Sequence, residues 1–530
     1  MTVPSEDFDH DVVVVGSGFG GSVSALRLAE KGWKVALLEQ GRRFSPEDLE
    51  RTGTDARALA WMPRLGRSGP LAQEVFQHVG IVRGIGLGGG SLVYAAVLLR
   101  PHEAFFNAPA WPEAPGGWQA ELAPHYATAE RMLGLAINPH QGQQDDWLRD
   151  TARRMGAESR FGPVPQGIFF GEPGREHADP FFAGQGPARR GCERCGRCIT
   201  GCAVGAKNSL DKNYLHLAEK AGVTVRVECQ VTHLEALPGG GYRLHLRHPW
   251  GQGPDLLPLR ARRVVLSAGV LGTLDILFAS RDRYRTLPHV PASLGQHVRT
   301  NSEAVVGILA QDPRTDISQG TTISTHFYPD AQTHVTQNRF PPSYGFMRMY
   351  MGPLVDGAQP WGRAARVLWS FVAQPVRSTR SFFARNWYRR ISVLTVMQQA
   401  DNAMAFDFGR TLLRGGRWGL RSRIPSGARP PSYLPQANSA ARHFAQASGG
   451  QAMNVLFESL GNLSVTAHVL GGAVMARTPE QGVVDADHQV FGCPGLYVVD
   501  ASAIPANVGV NPSLTITALA ERFAMRFPRR

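Results

Sequence analysis

The chain has 530 residues, 43% of them hydrophobic, and a formal net charge of +13 at pH 7. The length allows two or more hydrophobic cores, and no run approaches the roughly 18 consecutive apolar residues of a transmembrane helix. The N-terminal residues lack a basic segment followed by an apolar one, which favours a cytoplasmic protein over a secreted one. Most of the excess charge is Arg, and no zinc-finger, RNP or helix-turn-helix signature accompanies it, so nucleic-acid binding is not expected.

The first predicted elements form a strand–turn–helix–strand unit near the N-terminus. Residues 11–15 (DVVVV) are typical of a buried parallel strand, 22–31 have helical periodicity, and 35–38 (VALL) predict a second strand. Residues 16–21 (GSGFGG) join the first strand to the helix and form a GxGxxG motif in its proper context. This unit predicts a dinucleotide-binding site.

Each position of the motif has a physical role. Gly16 permits the tight turn, Gly18 lets a pyrophosphate approach the backbone, and Gly21 lets the helix and strand pack closely. The free N–H groups at the helix N-terminus favour the phosphates. Glu39, at the end of the second strand, can accept hydrogen bonds from ribose hydroxyls. These residues alone do not decide between FAD and NAD.

Further elements are predicted along the rest of the chain. Residues 79–97 form a second glycine-rich region, and 340–435 are rich in Arg, Pro and aromatic residues. The other predicted elements are a strand pair at 223–234 and 242–246, a buried strand at 263–268, a helix from Thr273, a last strand at 495–500 and a helix at 513–527.

Three later segments carry a family resemblance. They are 84–91 (GIGLGGGS), 468–472 (HVLGG), and a C-terminal run from 497–505 (YVVDASAIP) through 510–512 (VNP) to 515–520 (TITALA). Together with the N-terminal motif, and in this order, they resemble the glucose–methanol–choline (GMC) oxidoreductase family. Within it they are most similar to the cholesterol oxidase branch, which binds FAD non-covalently. The resemblance covers both ends of the chain and the strand at 264–268.

The resemblance implies an α/β fold with a Rossmann-like FAD-binding domain and an α+β substrate domain built on a mostly antiparallel sheet. It divides the chain into five segments. The FAD-binding domain takes 1–105, 191–300 with its cysteine-rich start, and 461–530 with the active-site His and Asn. The substrate domain takes 106–190 and 301–460.

The resemblance also assigns the cofactor contacts. The first glycine motif and Glu39 would hold the adenosine half, the second glycine loop would approach the flavin or its phosphates, and an aspartate would bind the ribityl or pyrophosphate region. An Asn-Pro pair would lie by the isoalloxazine ring. These residues are Gly16, Gly18, Gly21, Glu39, Gly88, Gly89, Gly90, Ser91, Asp500, Asn511 and Pro512.

Alcohol oxidation requires a base for the hydroxyl proton while a hydride leaves the carbon, and histidine suits that role near neutral pH. His468 is the predicted base, and the small residues at 471–472 leave room for a flavin. Asn511 can hydrogen-bond the same substrate oxygen and fix its orientation. Val469 replaces the proline usual in the family, which we expect to change the stiffness of the loop rather than the base.

The expected substrate is a bulky apolar, sterol-like alcohol, with O₂ or another acceptor reoxidising the flavin. Cholesterol oxidases also isomerise a steroid double bond with a buried carboxylate. That activity is not expected here, because no Glu lies between Glu303 and Glu458, neither Asp356 nor Asp401 stands out, and Tyr94 replaces an Asn of the best-known branch. Two alternatives stay open: a dehydrogenase of other alcohols or sugars, and a non-catalytic flavin-binding redox protein.

Four cysteines lie close together, at Cys192, Cys195, Cys198 and Cys202. Their spacing matches a bacterial ferredoxin ligand run, although Ala203 stands where proline usually follows. A [4Fe–4S] cluster, a zinc site and unmetallated thiols are all compatible with this spacing. If a cluster is present, a dehydrogenase that passes electrons to another acceptor is favoured, rather than an oxidase that uses O₂.

Residues 361–390 combine seven aromatic residues with seven arginines. Such a composition suits a peripheral surface that contacts an anionic membrane, where sterol-like substrates reside. The simpler interpretation is core aromatic residues with solvated arginines, and the sequence leaves both open.

Overall fold

A computed structural model describes residues 8–251, 256–411, 416–425 and 429–530. In these ranges the strands are β1 (His10–Val15), β2 (Val35–Leu38), β3 (Trp61–Met62), β4 (Arg67–Ser68), β5 (Leu71–Val75), β6 (Val79–Gly84), β7 (Leu135–Ile137), β8 (Phe161–Pro163), β9 (Pro165–Gly167), β10 (Glu176–His177), β11 (Arg189–Arg190), β12 (Thr224–Arg226), β13 (Gln230–Ala236), β14 (Tyr242–Arg247), β15 (Leu259–Leu266), β16 (Ala304–Ala310), β17 (Thr325–Phe327), β18 (Thr333–Asn338), β19 (Met351–Pro353), β20 (Ile391–Gln398), β21 (Ala405–Thr411), β22 (Arg417–Arg423), β23 (Gly450–Val455), β24 (Ser464–Thr466) and β25 (Leu496–Val498).

The α-helices of the same ranges lie between these strands. They are α1 (Phe19–Glu30), α2 (Pro46–Thr54), α3 (Ala56–Leu59), α4 (Glu103–Phe106), α5 (Trp118–Met132), α6 (Gln143–Arg154), α7 (Tyr214–Lys220), α8 (Gly269–Phe278), α9 (Pro360–Ala373), α10 (Pro375–Phe383), α11 (Trp387–Arg390), α12 (Pro435–Ser448), α13 (Leu456–Ser459) and α14 (Ser513–Arg526). None of the described helices is long and apolar enough to cross a membrane.

The first sheet has the strand order β12-β2-β1-β15-β14-β13, with β25 also paired to β15. The neighbours β12, β2, β1, β15 and β25 are parallel, and β14 and β13 are antiparallel. Helices α1 and α14 lie together beside it, and the Arg27 guanidinium on α1 pairs with Glu521 on α14 at 2.9 Å. The predicted Rossmann-like sheet is confirmed, and the predicted strand at 35–38 has the same bounds as β2.

One predicted strand is wrong in detail. Residues 223–234 form two strands, of which β12 extends the parallel sheet and β13 pairs with β14. The chain turns between them at Glu228, whose φ is +54°. Its amide donates to the carbonyl of Gly41 at 2.9 Å, so the turn is fixed by a contact that is distant in sequence.

The second large sheet is antiparallel, with the order β19-β23-β16-β20-β18-β17-β8. Helix α12 packs against β16, β20 and β23, and α6 packs on α12. The core between them is apolar and includes Leu148, Val306, Leu394 and Phe444, each fully buried. This sheet confirms the mostly antiparallel architecture that the resemblance implies.

A small sheet of order β24-β6-β5 joins distant parts of the chain. Strands β6 and β24 are parallel, with Ser464 opposite Val79. Parallel strands end at the same edge. The loop that follows β6, at 85–91, and the loop that follows β24, at 467–472, therefore leave the sheet on the same side.

Candidate active site

The GxGxxG turn is closed by its own backbone. The Gly16 amide donates to the Leu38 carbonyl at 2.8 Å, and the φ of Gly16 is +98°. A Cβ at Gly16 would collide with the Ser267 carbonyl, and one at Gly21 with the Gly16 carbonyl. At Gly18 a Cβ would meet nothing within 4 Å, so the second glycine faces open space in front of the helix N-terminus. This geometry fits a pyrophosphate.

Glu39 lies directly beside this turn and is buried. Its carboxylate accepts from the Ser17 amide at 3.1 Å, the Ser17 hydroxyl at 2.6 Å and the Gly41 amide at 2.8 Å. Burial raises the pKa of this carboxyl, and the hydrogen bonds oppose that rise. Glu39 thus ties the end of β2 to the glycine turn.

The second glycine-rich loop touches the first. The Gly88 amide donates to the Ser17 hydroxyl at 3.0 Å, and a Cβ at Gly89 would lie 2.8 Å from the Gly18 Cα. Such close backbone approach requires glycine, and φ is +109° at Gly88 and +52° at Gly89. Residues 89–92, which include Gly90, form a 3₁₀ turn, and the buried Ser91 hydroxyl donates to the Gly88 carbonyl at 2.7 Å.

Asp500 follows β25 at the same edge of the parallel sheet. One carboxylate oxygen accepts from the Gly269 amide at 3.0 Å and the Thr273 hydroxyl at 2.6 Å, and the other accepts from the Ser502 amide at 2.8 Å. Burial raises the pKa of this carboxyl. Asp500 therefore fixes the start of α8 next to the end of β25, and β15 separates it from the strand β1 that leads into the dinucleotide turn.

His468 and Asn511 meet, as the sequence predicts. The amide nitrogen of Asn511 lies 3.4 Å from Nε2 of His468. His468 follows β24, whereas Asn511 and the buried Pro512 immediately precede α14. Oδ1 of Asn511 is buried and has no hydrogen-bond partner among the described residues. A buried acceptor without a partner is costly, so this atom is available to a bound ligand.

Glu303 is the principal site residue that sequence reasoning missed. Its carboxylate pairs with Nδ1 of His468 and also accepts from the Ala467 amide at 3.3 Å. The Glu303 side chain is 3% exposed and that of His468 is 17% exposed, so their contact is shielded from solvent. The available signal was a run of polar residues, 300–303 (TNSE), directly before the apolar strand β16.

Other buried polar residues converge on the same place. Asn301 donates to the Val510 carbonyl at 2.8 Å, next to Asn511. His334, which is part of β18, lies near His468. Nε2 of His334 is 2.8 Å from Nδ1 of His326. Burial, then His326 and His468, lower the pKa of His334 well below its ordinary value, so its ring is neutral. These residues were also missed, because only the tertiary fold brings them together.

The carboxylates considered for isomerisation lie elsewhere. The side chain of Asp401 is 83% exposed beside Arg299, and that of Asp356 is 52% exposed beside Arg442. Neither is a buried carboxylate. Glu303 and Glu458, the two glutamates that flank the glutamate-free stretch, are both buried.

The four cysteines line one small cavity of about 20 Å³. They are free thiols, and burial raises the pKa of Cys192 to about 12 and that of Cys195 to about 11, so both are protonated at neutral pH. Among the residues that the structure describes, no group of three or more His, Cys, Asp or Glu side chains is arranged to hold a metal ion. The arrangement gives no support to a [4Fe–4S] cluster or a zinc site.

A buried lysine connects this cavity to the second glycine loop. Lys207 donates to the carbonyls of Leu92 at 2.8 Å, Tyr94 at 3.2 Å and Cys198 at 2.6 Å. The Leu210 amide donates to the Ser91 hydroxyl at 2.9 Å. The cysteine segment thus packs directly behind the loop that is predicted to face the flavin.

Comparisons with known proteins identify the family of this chain. A family model described as FAD dependent oxidoreductase matches residues 11–365, and one described as GMC oxidoreductase matches 394–520. A cholesterol oxidase of Mycobacterium tuberculosis is 41% identical over 98% of this chain and 92% of its own length. The chain belongs to the GMC oxidoreductase family. A cholesterol oxidase of Acinetobacter baumannii is 37% identical over 100% of this chain and 96% of its own.

Membership of the GMC family confirms the resemblance found in the motifs. The chain is an FAD-dependent oxidoreductase of alcohols. A solved pyridoxine 4-oxidase has the same fold, with a TM-score of 0.62 at 17% identity over 98% of this chain and 99% of the other. The open space at Gly18 and the paired glycine loops fit the FAD of this family.

Proposed function

We propose that this protein oxidises a bulky apolar alcohol of the sterol type, with His468 as the base and Asn511 as the group that orients the hydroxyl. The observation that carries the proposal is the array of Glu303, His468 and Asn511 beside the two glycine loops. Bound FAD supplies the hydride acceptor. The cofactor contacts are proposed to be Gly16, Gly18, Gly21, Glu39, Gly88, Gly89, Gly90, Ser91, Asp500, Asn511 and Pro512.

The two ring nitrogens of His468 have different tasks. A carboxylate accepts hydrogen bonds, so Glu303 keeps a proton on Nδ1 and leaves the Nε2 lone pair free in the neutral ring. Nε2 faces Asn511 and takes the hydroxyl proton of the substrate. The Glu303 carboxylate then stabilises the imidazolium that results. Nδ2 of Asn511, which lies beside Nε2, donates to the substrate oxygen and orients its single hydroxyl hydrogen toward the base.

Glu303→Gln is expected to lower the limiting rate of flavin reduction about 10- to 100-fold, because an uncharged partner stabilises the imidazolium less. The pH at which the rate is half-maximal should also move down, since the base loses its anionic neighbour. Stopped-flow reduction at several pH values measures both. Glu303→Asp should restore part of the rate.

Glu458→Gln is the matched control for this change. Glu458 is buried, and burial followed by Glu303 raises the pKa of its carboxyl well above the ordinary value, which favours the uncharged form that Gln resembles. Its rate and pH profile should stay near wild type. A Glu303→Gln enzyme with an unchanged pH profile would contradict the proposed role.

The substrate class rests on the relatives, two of which are named cholesterol oxidases. We expect a 3β-hydroxysteroid or a long-chain alcohol to be oxidised with a higher kcat/KM than glucose or choline, as measured by flavin reduction and product analysis. From a Δ5-sterol the main product should keep its double bond, because both oxygens of Glu303 are engaged by the 467–468 loop. Preferred turnover of a sugar would refute the substrate assignment.

O₂ is the proposed electron acceptor, in keeping with the oxidase names of these relatives. No electron route through the cysteines is part of the proposal. We expect anaerobically purified protein to contain well below one iron or zinc per chain, and Cys195→Ser to keep its FAD. Metal analysis beside the flavin spectrum checks this, and about four iron and four sulfide per chain would contradict it.

The division into segments is also a proposal. The FAD-binding domain would comprise 1–105, 191–300 and 461–530, and the substrate domain 106–190 and 301–460. The two sheets support it, since β1, β2, β15 and β25 come from the first set and β16, β18, β20 and β23 from the second. No observation favours the sugar dehydrogenase or the non-catalytic flavoprotein.

A further inference from the structure

Helices α9 and α10 expose an unusual amount of apolar surface. The exposed fractions are 90% for Trp361, 68% for Trp369, 81% for Val376 and 81% for Phe383. Buried Trp387 fits the simpler interpretation of core aromatic residues, but Trp361, Trp369 and Phe383 contradict it. Large apolar side chains clustered at the surface mark an interaction site.

The exposed residues lie on regular faces of the two helices. On α9 they recur at 361, 365, 368, 369 and 372, which is one face of an α-helix. The opposite face is buried through Arg363 and Val367. On α10, Val376 and Phe383 point outward while Ser378 and Ser381 are buried. Each helix therefore has one side fixed to the protein and one apolar side facing outward.

The charged residues of this segment are all basic. Arg366, Arg377, Arg380 and Arg385 are exposed. The sequence contains no Asp or Glu from 357 to 400. Exposed aromatic and aliphatic side chains interspersed with Arg match an anionic lipid bilayer, whose headgroups attract the guanidinium groups while its interface accepts Trp and Phe.

The two helices are firmly attached and adjoin the active site. The Arg363 guanidinium donates to the carbonyl of Gly357 at 2.8 Å and that of Glu458 at 3.0 Å, and to Oδ1 of Asn462 at 3.2 Å. The acceptors Glu458 and Asn462 lie in the segment that leads into β24 and His468. Ser378 on α10 donates to the Ser370 carbonyl at 2.8 Å, which joins α10 to α9.

We propose that the exposed face of α9 and α10 docks onto an anionic membrane surface, and that α9 lies in the bilayer interface with Trp361 and Trp369 inserted. This surface goes beyond the proposed oxidation chemistry and does not depend on it. Docking places the segment from α13 to His468 on the membrane side of the protein. An apolar alcohol can then reach the site without crossing water.

Vesicle co-sedimentation of the FAD-loaded full chain tests the proposal. Vesicles of phosphatidylcholine with phosphatidylglycerol are compared with phosphatidylcholine alone, without any sterol, so that binding is measured apart from turnover. We expect binding to the anionic vesicles that is at least tenfold tighter. A variant with Trp361, Trp369 and Phe383 each changed to Ser should lose most of this binding while it keeps FAD and reacts normally with a water-soluble alcohol.

The charge has its own matched pair of variants. Changing Arg366, Arg377 and Arg380 to Gln should weaken binding about 100-fold, since each basic residue near an anionic surface contributes about fivefold. Arg57 and Arg64 are exposed elsewhere on the protein, and changing both to Gln should have little effect on vesicle binding. Leu65 is 72% exposed, and Leu65→Ser is the control for the loss of an exposed apolar side chain.

Two results would overturn the proposal. One is anionic-vesicle binding that survives the three apolar substitutions or is matched by the control variants. The other is a stable dimer in sedimentation velocity that these substitutions dissociate, because the surface would then be an interface between two copies of the chain.

Discussion

His468→Ala should lower the limiting rate of flavin reduction by an alcohol about 10²- to 10⁴-fold, which is the usual contribution of general-base assistance. The alcohol would have to lose its proton to water instead of Nε2. Because Ala removes the ring that contacts Glu303, this buried carboxylate loses one of its partners and keeps the Ala467 amide, so a small loss of stability is expected. FAD should remain bound, because the two glycine loops are unchanged. Anaerobic stopped-flow reduction followed at the flavin bands measures the rate.

Asn511→Ala should give a smaller loss, since orientation is impaired while the base remains. The exposed His102→Ala is the control for a histidine substitution as such. If the His468→Ala enzyme were reduced at nearly the wild-type rate, His468 would not be the base.

Gly18→Ala should weaken FAD binding about 10- to 100-fold without loss of fold, because a methyl group occupies space reserved for the cofactor. The wild-type protein should be yellow and release FAD, rather than FMN or NAD, on denaturation. A Cβ at position 18 would have no protein atom within 4 Å, and the φ of −68° at Gly18 suits alanine, so the substitution should not strain the fold. Equilibrium titration of the apoprotein with FAD, together with thermal unfolding without FAD, separates the two effects.

Substitutions at two further glycines serve as comparisons for Gly18→Ala. Gly16→Ala should unfold the protein or abolish its expression, because φ is +98° and the new methyl collides with the Ser267 carbonyl. Gly142→Ala, at an open position with an extended backbone, should change neither stability nor FAD affinity appreciably. Unaltered FAD affinity in the Gly18→Ala protein would place the pyrophosphate elsewhere.

The parts of the fold that the sequence predicts are local ones. The first strand, turn, helix and second strand follow from periodicity and glycine spacing within about 30 residues, as is usual for a βαβ unit. His468 and Asn511 were predicted because each sits in a recognisable motif. Glu303 has no motif, and its pairing with His468 spans 165 positions. Such a pair depends on how β16 and β24 are placed, which no local pattern contains.

The cysteine run and the arginine-rich helices also show that a local sequence pattern does not determine how residues are arranged in the folded protein. Spacing made a metal cluster plausible, but the path of the backbone places the thiols around a cavity without the arrangement a metal requires. At 361–390, composition left core and surface interpretations open. The structure distinguishes them for α9, because Arg363 turns inward to bind carbonyls while Trp361 and Trp369 on the other side face outward.

The pairing of β6 with β24 also bears on how the protein is made. The partners Val79 and Ser464 lie 385 positions apart, and at about 5–20 residues per second the ribosome needs about 20–80 s to synthesise the interval. During that time β6 has β5 on one side but lacks β24 on the other, the glycine loops have no histidine beside them, and α1 lacks α14. A nascent chain therefore cannot complete its flavin site until its last residues emerge. Shortened products of translation or proteolysis that lack the C-terminal segment should be colourless, and this makes flavin content a direct measure of full-length synthesis.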